Sequence, residues 1–473
     1  MAFNSSRFFT FFIVVYALYL ALHKRVRLQN WLLLVASYTF YGFWDWRFLF
    51  LIATSTVVGY VIGRALGRPI SQAQRKLLLA CSTIFNLLVL GFFKYWGFFT
   101  ANLGVLLGLV GLDADPLVLD VVLPIGISFY TFQTMSYTID VYRKRLEPTH
   151  ELINFAVFVS FFPQLVAGPI ERAANLLPQF AHPRRITAEK VDTGLYLILW
   201  GLFKKMVVAD NAALIADPIF NNTIEHQGLD LLLGVLAFAV QIYGDFSGYS
   251  DIARGISRLL GFELMVNFRL PYFSLNPSDF WSRWHISLSS WLRDYLYIPL
   301  GGNRKGRWRT ALNLMLTMVL GGLWHGAAWN FVIWGAFHGL ILVLYRVLEK
   351  RPMHEDPWGG QYPYGVILLK MMVMFVLTLL GWLIFRATSI RQVVYMLSHV
   401  SFLPSDESVD LASNLVFFTL PLVAVQIYQY LKQDLLVLPK LRAWVRVPSY
   451  GFFTVWILIF GVRESIEFFY FQF

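Results

Sequence analysis

Cysteine is almost missing from this chain of 473 residues, with Cys81 alone. No disulfide can close within the chain and no multi-thiolate metal site can be built. Cys81 sits in an apolar stretch, where a buried neutral thiol is a poor nucleophile, and it reads as packing. Charge is scarce too. Asp, Glu, Lys and Arg supply 14% of the residues, against about 25% in ordinary soluble domains. A soluble fold needs a polar shell that this composition cannot supply, and a bilayer removes the need. The phosphate-cradling pattern G-x-x-x-x-G-K-[ST] is absent, which argues against a self-contained ATP-driven pump. Neither a G-x-S-x-G elbow nor an H-E-x-x-H pair occurs. No metal site is therefore expected. Without an internal repeat, a low-complexity tract or a long soluble stretch, residues 1–473 read as a single membrane domain.

What the chain has in excess is apolar and aromatic. Hydrophobic residues make up 57%, and the 16 Trp, 23 Tyr and 43 Phe suit a chain that crosses the membrane interface many times. The net charge of +11 sits in short gaps between apolar runs. That pattern fits positive-inside topology and anionic lipid headgroups, and no nucleic acid is expected.

Apolar runs cover roughly 8–22, 30–43, 47–65, 77–98, 119–139, 151–167, 194–209, 231–249, 311–322, 328–347, 366–386, 413–431 and 449–463. A span takes about 20 residues, so the shorter runs read as tilted or re-entrant. The expected fold is an all-α polytopic membrane protein, with about eleven tilted transmembrane helices plus re-entrant or interfacial helices. The first run is followed by Lys24, Arg25 and Arg27 without a small-residue cleavage site, and reads as a retained helix. Basic gaps such as Arg143-Lys144-Arg145 and Arg304-Lys305 are assigned to the cytoplasm. Acidic gaps at 113–120, 224–229 and 406–410 are assigned to the far side.

Two regions break the lipid-facing pattern. From Gly244 to Trp308, charges, Trp and Ser interrupt the apolar runs, beginning with Gly244-Asp-Phe-Ser-Gly-Tyr-Ser-Asp251. Such a segment lies at an interface or lines a protein-walled cavity. The second is Gly321-Gly-Leu-Trp-His-Gly-Ala-Ala-Trp-Asn330, where His325 falls between apolar segments. A titratable group at that depth is a functional-site candidate, and the small residues around it permit close approach. A neutral imidazole in an apolar cavity can accept a hydroxyl proton as that oxygen attacks a thioester or ester, which gives acyl transfer to oxygen. A lone His beside Trp can equally be an interhelical hydrogen-bonding residue. His338 reads that way. For His285 an interfacial role and a functional one are both open. His23, His150, His182, His226, His354 and His399 fall near segment ends and read as solvated.

Together the motifs resemble the membrane-bound O-acyltransferase family. The likeness runs through Phe161-Phe-Pro-Gln-Leu-Val-Ala-Gly-Pro-Ile170, Gly244 to Asp251, Arg283-Trp-His-Ile-Ser-Leu288, Gly322-Leu-Trp-His-Gly326 and the ending Phe468 to Phe473. It is strongest to the bacterial AlgI-like branch of alginate O-acetylation, with DltB-type D-alanyl transfer proteins related to it. The resemblance implies helices ringed around a central funnel, with His325 catalytic and His285 sharing the proton work or positioning the donor. Trp324, Arg283 and Trp284 flank the histidines and are candidates for substrate contact. No tightly bound cofactor is implied; the acyl donor would be acetyl-CoA or an acylated carrier. Implied too are an extracytoplasmic acetyltransferase partner, an exopolysaccharide as final acceptor and a place in the bacterial inner membrane. The implied function is O-acetylation of an exopolysaccharide, with alginate as the first candidate. D-alanyl or other acyl transfer to a cell-envelope polymer stays open, as does a transporter or scaffold of an export complex.

Overall fold

A computed structural model describes residues 1–112, 119, 121–165, 168–348, 363–462 and 468. His354, Val166-Ala167 of the Phe161 motif and the terminal Phe469 to Phe473 lie outside them. The regular structure of the described residues is all helix, without strands. Among the described residues, seven helical runs are long and apolar enough to cross a membrane: Val26–Leu66, Gln72–Leu109, Leu229–Leu259, Trp329–Leu348, Tyr364–Arg386, Asp406–Lys432 and Ala443–Phe460. Ser6–Ala21 and Leu152–Leu165 are shorter apolar helices. Large side chains such as Val376, Leu420 and Leu458 point outward at 55%, 61% and 65% exposure. Apolar surface of that extent is what a bilayer covers. The chain is a multi-pass membrane protein.

By its internal packing the chain divides into two compact units, Met1–Val191 with Ile256–Met265, and Asp192–Gly255 with Val266–Phe473. The first holds α1 (Ser6–Ala21), α2 (Val26–Asp45), α3 (Leu49–Leu66), α4 (Gln72–Leu90), α5 (Trp96–Leu109), α6 (Ile127–Tyr142), α7 (Leu152–Ser160), α8 (Phe162–Leu165) and α9 (Ala173–Ala181). α2 and α3 share one apolar run but are separate helices. Asp45 takes up extended backbone and its carboxylate accepts from the Arg47 amide at 2.9 Å, which turns the chain between them. Ser71 and Gln74 cap the start of α4 reciprocally, satisfying amides the helix leaves unpaired. Buried amides bind the unit together: the Asn30 side chain donates to Asn154 at 2.7 Å and to the Phe180 carbonyl at 2.9 Å.

Two expectations are corrected in this unit. The run at 119–139 becomes helical only at Ile127, because Gly126 adopts φ +76° and its missing Cβ makes room for the Leu165 carbonyl. Cys81 is not buried but exposed on α4. The helix turns Ser82 and Asn86 inward instead, where Ser82 bonds Thr138 at 3.0 Å.

The second unit takes most of α10 (Ala188–Leu202), then α11 (Asp210–Asn221), α12 (Leu229–Leu259) up to Gly255, α13 (Pro277–Arg283) and α14 (Ile286–Leu292). It continues with α15 (Gly306–His325), α16 (Trp329–Leu348), α17 (Tyr364–Arg386), α18 (Ile390–His399), α19 (Asp406–Lys432) and α20 (Ala443–Phe460). The polar stretch Gly244 to Asp251 does not interrupt α12, which runs on as one helix past the boundary at 249 read from the sequence. Protein covers it, as its expected place against a protein wall requires: Asp245, Ser247 and Ser250 are buried. α10 and α12 meet backbone to backbone. A Cβ on Gly201 would lie 2.6 Å from the Gly248 carbonyl, and one on Gly255 would lie 2.6 Å from the Gly194 carbonyl. The hairpin of α15 and α16 is as close, since a Cβ on Gly322 would lie 2.1 Å from the Phe331 carbonyl. Small residues let membrane helices approach this way.

Candidate active site

His325 is the last residue of α15, and Gly326 leaves the helix with extended backbone. The close α15–α16 packing fixes that end, and the ring comes to rest 3% exposed among aromatic neighbours. Ring centres of Trp324 and Trp334 lie 5.1 Å away and that of Phe385 5.4 Å away, all near edge-to-face. This geometry suits quadrupolar rings.

His285 comes from a different part of the chain. α13 begins with the Asn276 side chain accepting from the Asp279 amide at 2.8 Å and with Pro277 in its first turn. It ends at Arg283, whose guanidinium reaches back to Asp279 at 2.6 Å. The chain then turns sharply through His285, which holds φ +43° and ψ +54°, a left-handed conformation that non-glycine residues rarely adopt. The imidazole is fully buried, edge-on to Phe246 at 4.7 Å. Its centre lies 6.0 Å from Trp324 and 6.4 Å from His325. Two histidines separated by forty residues, 325 minus 285, thus face one aromatic chamber.

His285 lies outside the seven membrane-crossing runs, and burial pushes its pKa down to about 3. The ring is therefore neutral at physiological pH, the form able to accept a proton. Its Nδ1 lies 3.2 Å from the Asn267 Oδ1, while Nε2 is buried with no hydrogen-bond partner among the described residues.

Of the residues singled out in the sequence, the fold brings together His325, His285 and Trp324. Trp284 is buried one residue away from His285 but packs against Phe268 at 4.9 Å and Trp382 at 4.7 Å. The Arg283 guanidinium is engaged with Asp279. His338 sits in a neighbouring aromatic nest, 4.7 Å from Trp334 and 5.2 Å from Trp281, as a packing residue would. Among the outlying histidines, His23, His150, His182 and His399 are exposed and His226 is half-buried.

The sequence reading passed over two groups. Asn267 lies in the polar stretch from Gly244 to Trp308, and nothing local marks it as the partner of His285. Lys204 and Lys205 fell inside an apolar run, which was itself a signal. They lie at a π-helical turn, Phe203–Ala209, following α10. Lys205 is 2.8 Å from both Asp210 and Asp245. Lys204 is 2.7 Å from Asp251 and donates to Ser247 at 3.0 Å. Arg254 meets the other oxygen of Asp251 at 3.0 Å.

Helices thus close around two buried histidines set 6.4 Å apart among aromatic rings. Residues 44–384 match the model of the membrane-bound O-acyltransferase family, and the chain belongs to that family. It is an acyltransferase. It is 45% identical over 398 residues to a protein of Pseudomonas aeruginosa named probable alginate O-acetylase AlgI, covering 83% of this chain and 73% of that one. A protein of the same name from Azotobacter vinelandii is 42% identical over 457 residues, 94% of this chain and 88% of its own length. The peptidoglycan O-acetyltransferase of Helicobacter pylori is 36% identical over 395 residues, 78% of this chain and 72% of its own.

Proposed function

We propose that the protein transfers an acetyl group from a cytoplasmic thioester donor, acetyl-CoA or an acylated carrier, toward O-acetylation of an exopolysaccharide, with alginate as the acceptor polymer. The observation that carries the chemistry is the buried pair His285 and His325, 6.4 Å apart in an aromatic chamber. His325 is the general base. Its imidazole takes the proton of an acceptor hydroxyl while that oxygen attacks the thioester carbonyl. Collapse of the tetrahedral intermediate breaks the carbon–sulfur bond, and the proton held on imidazole goes to the leaving thiolate. Acyl transfer is thus proton-neutral overall. Water-poor aromatic walls favour this route over hydrolysis of the donor.

The acceptor rests on the relatives named for alginate O-acetylation. The Helicobacter relative, named for peptidoglycan, supports a second reading in which another envelope polymer is acetylated. In either reading the chain sits in the inner membrane and hands the acetyl group to an extracytoplasmic partner transferase.

The test is polymer acetyl content in a strain lacking this gene, complemented with wild type or His325→Ala at equal membrane levels. Restoration by wild type alone supports transfer through His325. Restoration by both variants would leave a transporter or scaffold role. Restoration by neither would point to a different polymer or acyl group.

A further inference from the structure

We infer that Asn267 is a positioning residue that fixes the tautomer of His285, keeping the proton on Nδ1 and leaving Nε2 as the proton acceptor. The inference rests on His285 belonging to the reaction site proposed above.

Asn267 is buried and its side-chain oxygen is a convergence point. The Ser287 amide donates to it at 3.2 Å, the Ser287 hydroxyl at 2.9 Å, and His285 Nδ1 lies 3.2 Å away. The backbone amide of Ser287 decides which way the Asn267 amide faces. An N–H can only donate, so oxygen, not the NH2 group, must sit there. The NH2 group turns the other way and lies 3.4 Å from the Ser250 hydroxyl. The Ser287 hydroxyl also lies 3.4 Å from Nδ1, but its one proton goes to the nearer Asn267 oxygen at 2.9 Å, so Nδ1 bonds the amide oxygen by carrying the proton itself. A neutral imidazole has one N–H, so Nε2 is left as the acceptor.

The backbone holds this arrangement in register. The Ile286 amide donates to the Asn267 carbonyl at 3.0 Å, and the Arg269 amide donates to the Arg283 carbonyl at 2.9 Å. The two segments are zipped on both sides of the imidazole. Left-handed backbone at His285 is strained and persists only where its surroundings over-determine it. These bonds supply that determination. Fixing the ring leaves Nε2 with no protein partner among the described residues, although an unpaired buried acceptor is costly. A reacting hydroxyl or thiol proton would satisfy it.

The experiment is nitrogen-15 NMR of histidine-labelled full-length protein in lipid nanodiscs, with His285→Gln used to assign the His285 ring nitrogens. Wild type is expected to show His285 protonated at Nδ1 from pH 5 to 8. Asn267→Leu removes the acceptor and shifts the ring toward the Nε2-protonated form. Asn267→Asp keeps the acceptor, so it retains the Nδ1 proton and moves protonation of His285 to higher pH. Polymer acetylation should fall at least about tenfold in Asn267→Leu and less in Asn267→Asp, at matched membrane levels. A wild-type ring protonated at Nε2, or one unchanged by Asn267→Leu, overturns the inference. Should Asn267→Leu not accumulate, Ser287→Ala must leave the Nδ1 proton in place, because Asn267 still faces the ring; loss of that proton there also overturns it. The spectra read the tautomer whatever the reaction is, so failure of the acetylation reading shows separately as an active His325→Ala variant.

Discussion

Within the second unit, α12 touches two buried polar regions of opposite character. At Phe246 it walls the histidine chamber, where rings contact rings and the His285 side chain meets only amide and hydroxyl partners. At Asp245 and Asp251 it faces Lys205 and Lys204, where each buried cation lies within 2.8 Å of a carboxylate. The difference follows from what burial does to each group. An imidazole escapes the penalty by staying neutral, so it needs geometry more than charge. A lysine side chain 1% exposed is tolerated only with an anion beside it, so it needs partners before anything else. The histidine chamber therefore suits the proton transfer proposed for it, and the lysine cluster suits holding α10, α11 and α12 in one arrangement.

The comparison is broken most severely by His325→Ala. Acetylation is expected to fall by about 10²–10⁴-fold, the span of general-base catalysis, with membrane level unchanged. A fall in membrane level would make His325 a packing residue. Lys205→Met should do the reverse. It removes the cation beside Asp210 and Asp245 and costs about 3–5 kcal/mol, read as a loss of folded protein in detergent melting curves. Normal melting with lost acetylation would move the cluster into the reaction. Gly335→Val tests the scaffold between the regions. Its Cβ would lie 2.3 Å from the Met318 carbonyl, so α15 and α16 must part. A cost of about 1–3 kcal/mol is expected, with acetylation per folded molecule reduced as His325 shifts. Cys81→Ser, on an exposed face of α4, should change melting by no more than about 0.5 kcal/mol and leave acetylation alone.

Hydropathy placed most of the long helices because a bilayer-crossing run needs only composition and length, both local properties. It missed α9, α11 and α18, and all but the first turn of α5. α18 is amphipathic, and Pro178 and Pro218 sit inside α9 and α11. Periodicity placed Cys81 in its helix but did not say which side faces outward. His325 was legible as a candidate, since a titratable residue between apolar runs beside glycines stands out in one dimension. Asn267 was not, because an asparagine in a polar loop carries no mark of the ring it will face eighteen residues on.

By itself, then, the sequence determined the membrane, the helical class and the candidate histidines, because scarcity of charge and the length of apolar runs leave a chain few other ways to satisfy its backbone. Only the tertiary structure decided that His285 and His325 share a chamber, that Lys204 and Lys205 meet carboxylates two helices away, and that one amide oxygen faces Nδ1. Each depends on the close approach of segments forty or more residues apart, or on a sharp backbone turn. Distance in space is set by how glycines and aromatic rings pack, which no local pattern records.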